Sequence, residues 1–209
     1  MRFGGFQPFS LSDYPGHVAA IVFAQGCNFR CPFCHNGDLL AIAPTEKGLY
    51  PEKEILNVLR RRQGKLEALV ISGGEPTLQV DLPRFIKLVK DLGYKIKLDT
   101  NGSRPVMLAQ LIAARLLDYI AMDIKAPLDK YSRLSGTTVI TEKIEESIAL
   151  IAQSKLPHHF RTTEVKSLLT PEDIHAIQQL TPSGSELVLQ TFKPENALEP
   201  SLRGEIAIA

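Results

Sequence analysis

The densest chemistry in the chain lies in one short loop. Gly26-Cys27-Asn28-Phe29-Arg30-Cys31-Pro32-Phe33-Cys34-His35-Asn36 sets three thiols in a C-x3-C-x2-C array. Thiolates this close in sequence can converge on one soft metal centre. They are the chain's three cysteines, an odd number within eight residues, which excludes a disulfide framework and points to a reducing compartment. A structural zinc site with His35 as fourth ligand is the competing reading. It is weakened because His35 directly follows Cys34, where closing a tetrahedral shell is awkward, and no distant ligand pair completes a ribbon or finger. Inert buried cysteines would make the tight spacing a coincidence. Three protein ligands on a cubane cluster leave one iron open, and an open iron is a binding site.

A second set of polar residues recurs along the chain. In Ser72-Gly73-Gly74-Glu75-Pro76 two glycines let a ligand approach the backbone, beside a carboxylate able to hold an ammonium group. Asp99-Thr100-Asn101-Gly102 and Asp123-Ile124-Lys125 follow. Asp99 and Asp123 each suit a helix cap or a ribose or cation ligand, and Lys125 can pair with Asp123 or reach a carboxylate. Arg161, Thr162, Thr163 and Glu164 come next, and Gln190 last. Singly, each is ordinary turn or cap chemistry. Their joint placement favours a shared site, because each stands at the carboxyl end of an apolar run.

Those runs are the elements that must position them. Residues 18–24, 68–71, 94–98, 119–122, 160–165 and 186–191 read as strands, the first buried on both faces. Between them fall helical spacings: Ile55, Leu56 and Leu59 after Pro51, with Arg60-Arg61-Arg62 as a solvated last turn; Leu82, Phe85, Ile86 and Val89 before Gly93; Leu108, Leu111 and Ile112 after Pro105; Ile144, Ile148 and Ile151; and Ile174 and Ile177 after the cap Thr170-Pro171. Strand–helix alternation predicts an α/β fold of right-handed βαβ units on a parallel sheet, with ligands at the carboxyl ends of the strands. A complete eight-fold barrel needs ~250 residues, so 209 residues predict an incomplete six-unit (β/α) barrel. The expected layout is one domain, 1–209. Residues 1–17, with Gly4-Gly5, Pro8 and Tyr14-Pro15-Gly16, form an N-terminal hairpin or irregular cap, 18–192 the partial barrel and 193–209 an irregular tail.

Charge narrows the partners. With 24 Lys+Arg against 23 Asp+Glu, broad electrostatic binding to nucleic acid or an anionic membrane is not expected. No stretch approaches the ~20 apolar residues of a membrane span, and Met1-Arg2-Phe3-Gly4-Gly5 lacks a signal-peptide profile. A cytoplasmic location is expected.

The cysteine loop followed by Gly73-Gly74-Glu75 resembles the radical S-adenosylmethionine superfamily. Asp13-Tyr14-Pro15-Gly16, Cys34-His35-Asn36, Asp99-Thr100-Asn101-Gly102 and Met122-Asp123-Ile124-Lys125 narrow the resemblance to activating enzymes of glycyl radical enzymes, particularly the anaerobic ribonucleoside-triphosphate reductase activating proteins. It runs from about the tenth residue to Gln190. The resemblance implies one 4Fe–4S cluster on Cys27, Cys31 and Cys34, with S-adenosylmethionine chelating the open iron through its amino and carboxylate groups. It implies that Gly73, Gly74 and Glu75 border the amino group and that Asn36, Asp99, Asp123, Lys125 and Arg161 surround the cofactor. Gln190 would touch ribose or adenine, and Asp99, Thr100 and Asp123 would hold a monovalent cation near the carboxylate.

The implied reaction takes one electron from flavodoxin or ferredoxin, breaks the S–C5′ bond to give methionine and a 5′-deoxyadenosyl radical, and removes a hydrogen from a glycine α-carbon of a partner enzyme. Without a fourth cysteine, extra ferredoxin-like clusters are not expected; without a long carboxyl-terminal extension, neither is an appended peptide- or nucleic-acid-binding module. Two rivals remain. A small-molecule enzyme such as 7-carboxy-7-deazaguanine synthase shares the short barrel and Gly-Gly-Glu, but the Asp-Tyr-Pro-Gly segment and the uninterrupted cysteine loop fit the activases better. A non-enzymatic iron–sulfur or metal-binding carrier needs no polar constellation across many strands. The loops around His35-Asn36 and between Lys125 and Gly136, Tyr131 included, are the expected docking rim for a partner.

Overall fold

A computed structural model describes residues 1–42 and 48–204. Seven strands form one sheet in chain order: β1 (Phe3–Ser10), β2 (Ala19–Ala24), β3 (Ala68–Gly73), β4 (Lys95–Thr100), β5 (Tyr119–Asp123), β6 (His158–Glu164) and β7 (Leu187–Thr191). From β2 onward every neighbouring pair is parallel. These are the six expected strands, and they curl into an open, incomplete barrel with β1 and β7 at its edges. β1 falls within the expected cap and pairs antiparallel with β2, its register shifting between Phe3 and Gly5 and between Gln7 and Ser10.

The helices are α1 (Glu52–Arg61), α2 (Leu82–Lys90), α3 (Pro105–Ala113), α4 (Tyr131–Ser135), α5 (Thr141–Gln153) and α6 (Pro171–Leu180). Proline stands at or beside the first turn of α1, α2, α3 and α6, where its missing N–H costs nothing. In α6, Thr170 and Asp173 cap each other reciprocally, and Lys130 reaches Asp173 at 2.7 Å, tying the loop after β5 to this helix. α4 has only five residues, too few to register as a hydrophobic period, and falls in a stretch the sequence reads as loop. Among the described residues, no helix is long and apolar enough to cross a membrane.

Side chains alternate across each strand, so the sheet has two faces of different chemistry. On the outer face Ala20, Leu69, Ile71, Leu98, Met122 and Phe160 pack against Ile55, Phe85, Leu108, Ile144 and Ile177 of the helices. The inner, concave face begins with an apolar floor of Ala19, Ile21, Ala68 and Val70, closed by Tyr14. Lys97 stands level with Val70 on this face, and Asp99, Asp123 and Arg161 stand farther along it. The barrel is therefore mainly apolar below, with Lys97 its one charged side chain among these residues, and charged above. Past β7, expected as irregular, the chain makes two 3-10 turns, Pro194–Asn196 and Pro200–Gly204, and buries Phe192, Ala197 and Leu202. Residues 205–209 of that expected tail lie outside the described residues.

Candidate cofactor site

The cysteine loop leaves β2 and is held from several sides. Gly26 N donates to Leu39 O at 2.7 Å, and Gln25 Nε2 donates to Asp38 O and Ala41 O at 3.2 and 3.1 Å. Arg30 turns its guanidinium inward onto Cys27 O and Phe29 O, both at 2.7 Å, and so satisfies carbonyls that no ladder reaches. From outside, Arg30 N donates to Ser135 O at 2.7 Å, and Glu199 N donates to Pro32 O at 2.8 Å. The His35 ring stacks on Phe192 with centroids 5.6 Å apart, and its Nε2 bonds to Lys193 O. Cys27 and Cys31 end up buried and Cys34 half-buried. Burial pushes the Cys27 thiol up to about 12 and the Cys31 thiol to about 11, the latter against the pull of Lys125.

The loop after β3 forms one wall. A side-chain carbon on Gly73 would stand 2.5 Å from Ala24 N, and one on Gly74 2.2 Å from Gly26 O. Sequence reasoning gave these glycines to a ligand's approach; the close approach observed is between β3 and the chain leaving β2. Glu75 lies beneath the cavity wall, fully buried. It accepts from Thr77 N at 3.0 Å, Thr100 Oγ1 at 2.8 Å and Asn101 N at 2.6 Å, and from the Thr77 hydroxyl. Burial raises its pKa, opposed by these bonds. The carboxylate expected to hold an ammonium group instead joins the loops after β3 and β4.

Charged side chains of β4, β5 and β6 form the base. Asp99 takes Lys97 on one oxygen, and Ser72 Oγ at 3.0 Å and Arg161 Nη1 at 3.3 Å on the other. Asp123 takes Arg161 Nε on one oxygen and Lys125 Nζ, at 3.0 Å, on the other. Burial alone would raise Asp123, but the Arg161 and Lys125 cations outweigh it and hold its carboxyl well below the usual range. The Lys125 ammonium also stands 6.0 Å from the centre of the Phe33 ring.

One cavity gathers most of the expected residues. Cys27, Cys31 and Cys34 line it from the loop, Asn36 and Gly73-Gly74 from one side, and Asp99, Asp123, Lys125 and Arg161 from the strand ends. Asn36 Nδ2 donates to Gly73 O at 3.5 Å. Two expected residues do not line it. Glu75 is behind the wall, and Gln190 is exposed on β7, on the same face as its register partner Thr163, which does line the cavity. Phe29 and Phe33, interleaved among the cysteines, supply apolar walls that sequence reasoning passed over; aromatic residues alternating with soft ligands were the available signal. Lys97, a lysine buried two residues before Asp99 on the same face of its strand, was the other overlooked signal.

The donor set suits a cluster better than one ion. Among the described residues no group of three or more His, Cys, Asp and Glu side chains is arranged to hold a single metal ion. His35, the only fourth ligand a zinc reading offers, is occupied by Lys193 O and Phe192. Three thiols facing a shared cavity match the donor chemistry of an iron–sulfur cluster with one iron left for another ligand.

Comparison with known proteins agrees. The pattern described as Radical SAM superfamily matches residues 21–181. A putative glycyl-radical enzyme activating enzyme of Methanocaldococcus jannaschii is 34% identical over 204 residues, covering 95% of this chain and 83% of that one. A second putative glycyl-radical enzyme activating enzyme of the same organism is 32% identical over 175 residues, 82% of this chain and 62% of the relative. Among solved structures, native anSMEcpe with bound AdoMet superposes with a TM-score of 0.63 at 14% identity, over 86% of this chain and 54% of that one, a likeness of fold. On this sequence match and this fold the chain belongs to the radical S-adenosylmethionine superfamily, whose cofactors are a 4Fe–4S cluster and S-adenosylmethionine.

Proposed function

We propose that the chain is an activating enzyme that generates a glycyl radical on a partner enzyme, with anaerobic ribonucleoside-triphosphate reductase as the partner and flavodoxin or ferredoxin as electron donor. The observation that carries this reading is the convergence of the three cysteines and the charged ends of β4, β5 and β6 on one cavity. The M. jannaschii relative, similar over 95% of the chain, supports it. When bound, the cluster and S-adenosylmethionine supply one-electron cleavage of the sulfonium to methionine and a 5′-deoxyadenosyl radical.

The protein's part is placement and exclusion. Cys27, Cys31 and Cys34 would hold the cluster. Lys125, paired with Asp123 at 3.0 Å, would offer its ammonium to the carboxylate of the cofactor's methionine end. Asn36, Gly73 and Gly74 would border that end, and Asp99 with Arg161 forms the base of the cavity. Phe29 and Phe33 give the cavity apolar walls that would limit water around the bound groups and strengthen the electrostatic contacts there. Half-buried Cys34 leaves the cluster an edge through which a donor can pass an electron.

Anaerobic reconstitution tests the reading. Iron and sulfide analysis with EPR should find one oxygen-labile 4Fe–4S cluster per chain, and dithionite with S-adenosylmethionine should yield 5′-deoxyadenosine. Added to the reductase, the mixture should give a glycyl radical EPR signal. One tight zinc per chain with no iron uptake would overturn the whole reading. Cofactor cleavage without activation of any glycyl radical enzyme would shift it to small-molecule chemistry.

A further inference from the structure

The expected monovalent cation on Asp99, Thr100 and Asp123 does not fit the donor set, because the oxygens it would need already face the protein's own donors. Asp99 accepts from Lys97 on Oδ1, and from Ser72 and Arg161 on Oδ2. Asp123 accepts from Arg161 Nε on Oδ1, and from Lys125 and, at 3.4 Å, Arg161 Nη2 on Oδ2. Thr100 Oγ1 donates to Glu75 at 2.8 Å and accepts from Gly102 N at 3.2 Å. One planar guanidinium thus bridges the two carboxylates that an inorganic ion would have bridged.

Lys97 completes the arrangement from below. Its side chain is 3% exposed, it stands level with Val70 of the apolar floor in register, and its ammonium is paired with Asp99. A buried ammonium is expensive unless paired, and neither the strand nor the floor needs a charge there. Its partner Asp99 lines the cavity, whereas Lys97 does not.

We propose that Arg161 and Lys97 together take the place of an inorganic monovalent cation in this chain. S-adenosylmethionine binding is then independent of Na+ and K+, and Lys97 is the positioning residue that makes it so. The inference rests on the proposed use of S-adenosylmethionine at this cavity.

Isothermal titration of S-adenosylmethionine into the reconstituted protein, at constant ionic strength in choline, sodium or potassium chloride, tests it. Wild-type affinity should agree within about twofold across the salts, whereas a cation sharing the site would couple to the cofactor by about tenfold or more. In Lys97→Gln, the freed Asp99 oxygen should make binding weak in choline and restore it in potassium or sodium, with 23Na line broadening that the wild type lacks. Lys97→Arg should stay salt-independent. A tenfold salt dependence of the wild type overturns the inference, as does a Lys97→Gln protein that folds and binds equally in all three salts. Should Lys97→Gln not fold, the wild-type comparison still decides. Absence of binding in every salt removes the functional reading itself, a different result from salt-dependent binding.

Discussion

At the scale of single residues, what a charged group can do for a ligand depends on where its lone pairs and protons are already committed. Glu75 accepts from two backbone amides and two hydroxyls while fully buried. Removing it in Glu75→Ala orphans the Thr77 and Asn101 amides, at about 1–3 kcal/mol each. The protein without cofactor should therefore lose about 3 kcal/mol in urea denaturation, before any S-adenosylmethionine is added. Unchanged stability with weakened cofactor binding would return Glu75 to the role the sequence suggested. His159 offers a pH test. Burial, then Lys97 and Arg161, hold its pKa below the usual value, while its Nδ1 meets Tyr119 OH at 2.9 Å. The folded chain therefore protonates this ring less readily than the unfolded chain, so as pH falls below about 6.5 the unfolded chain takes up more protons than the folded one and stability drops. His159→Gln should flatten that part of the slope between pH 7.5 and 5.5 in denaturant midpoints. An identical slope would show that the ring is freely protonated in the fold.

At the scale of elements, the loop that carries the thiols is shaped by segments with little periodicity of their own. Strands β2 to β7 were legible as short apolar runs, and the helices of nine or more residues because 3.6-residue spacing repeats often enough to read, as in Leu82, Phe85, Ile86 and Val89 of α2. β1 was legible only as part of a hairpin or irregular cap. α4 and the turns after Phe192 were not legible, yet they hold the loop at Arg30, Pro32 and His35. The site divided in the same way. Residue type and strand-end position revealed the thiols, Asp99, Asp123, Lys125 and Arg161. They could not reveal that Glu75 faces backward, because the sequence does not say which amides lack partners. Gly136 makes the role of α4 measurable. It has φ +66°, and a side-chain carbon there would stand 2.1 Å from Arg30 O. Gly136→Ala must displace the cysteine loop, so iron retained after reconstitution should fall by half or more, about the effect of a ligand moved by 1 Å. Gly184→Ala is the control, since φ is +86° but nothing lies within 4 Å. Equal iron content in the two variants would mean that the loop does not depend on α4.

At the scale of the whole molecule, chain-order strands leave an open barrel with β1 and β7 as edges, and the cavity lies at the carboxyl ends of the strands between them. A glycine α-carbon of a large partner can meet a radical made there only if its loop enters that mouth. Tyr131, expected on the docking rim, is fully buried, with its hydroxyl 3.3 Å from Lys125 N. Changing it to Asp would disrupt the base of the site rather than report on docking. In the same loop Asp129, Ser132 and Arg133 are exposed, and in the other expected rim loop His35, Asn36, Gly37 and Asp38 are, the last two in the turn Gly37–Leu39. Asp38 and Asp129 are exposed, and neither carboxylate makes a described hydrogen bond, so reversing their charge leaves the cavity intact while altering the surface that a partner meets. Charge reversal at a rim costs enough to weaken association by about tenfold, chiefly through encounter. The paired variant Asp38→Arg, Asp129→Arg should keep wild-type iron content and uncoupled cofactor cleavage, while the glycyl radical yield on the partner falls about tenfold at limiting concentration and recovers when the partner is raised. Loss of uncoupled cleavage would place the damage in the cavity. An unchanged radical yield at limiting partner would move the docking surface away from this mouth, toward the exposed edge of β1 or β7.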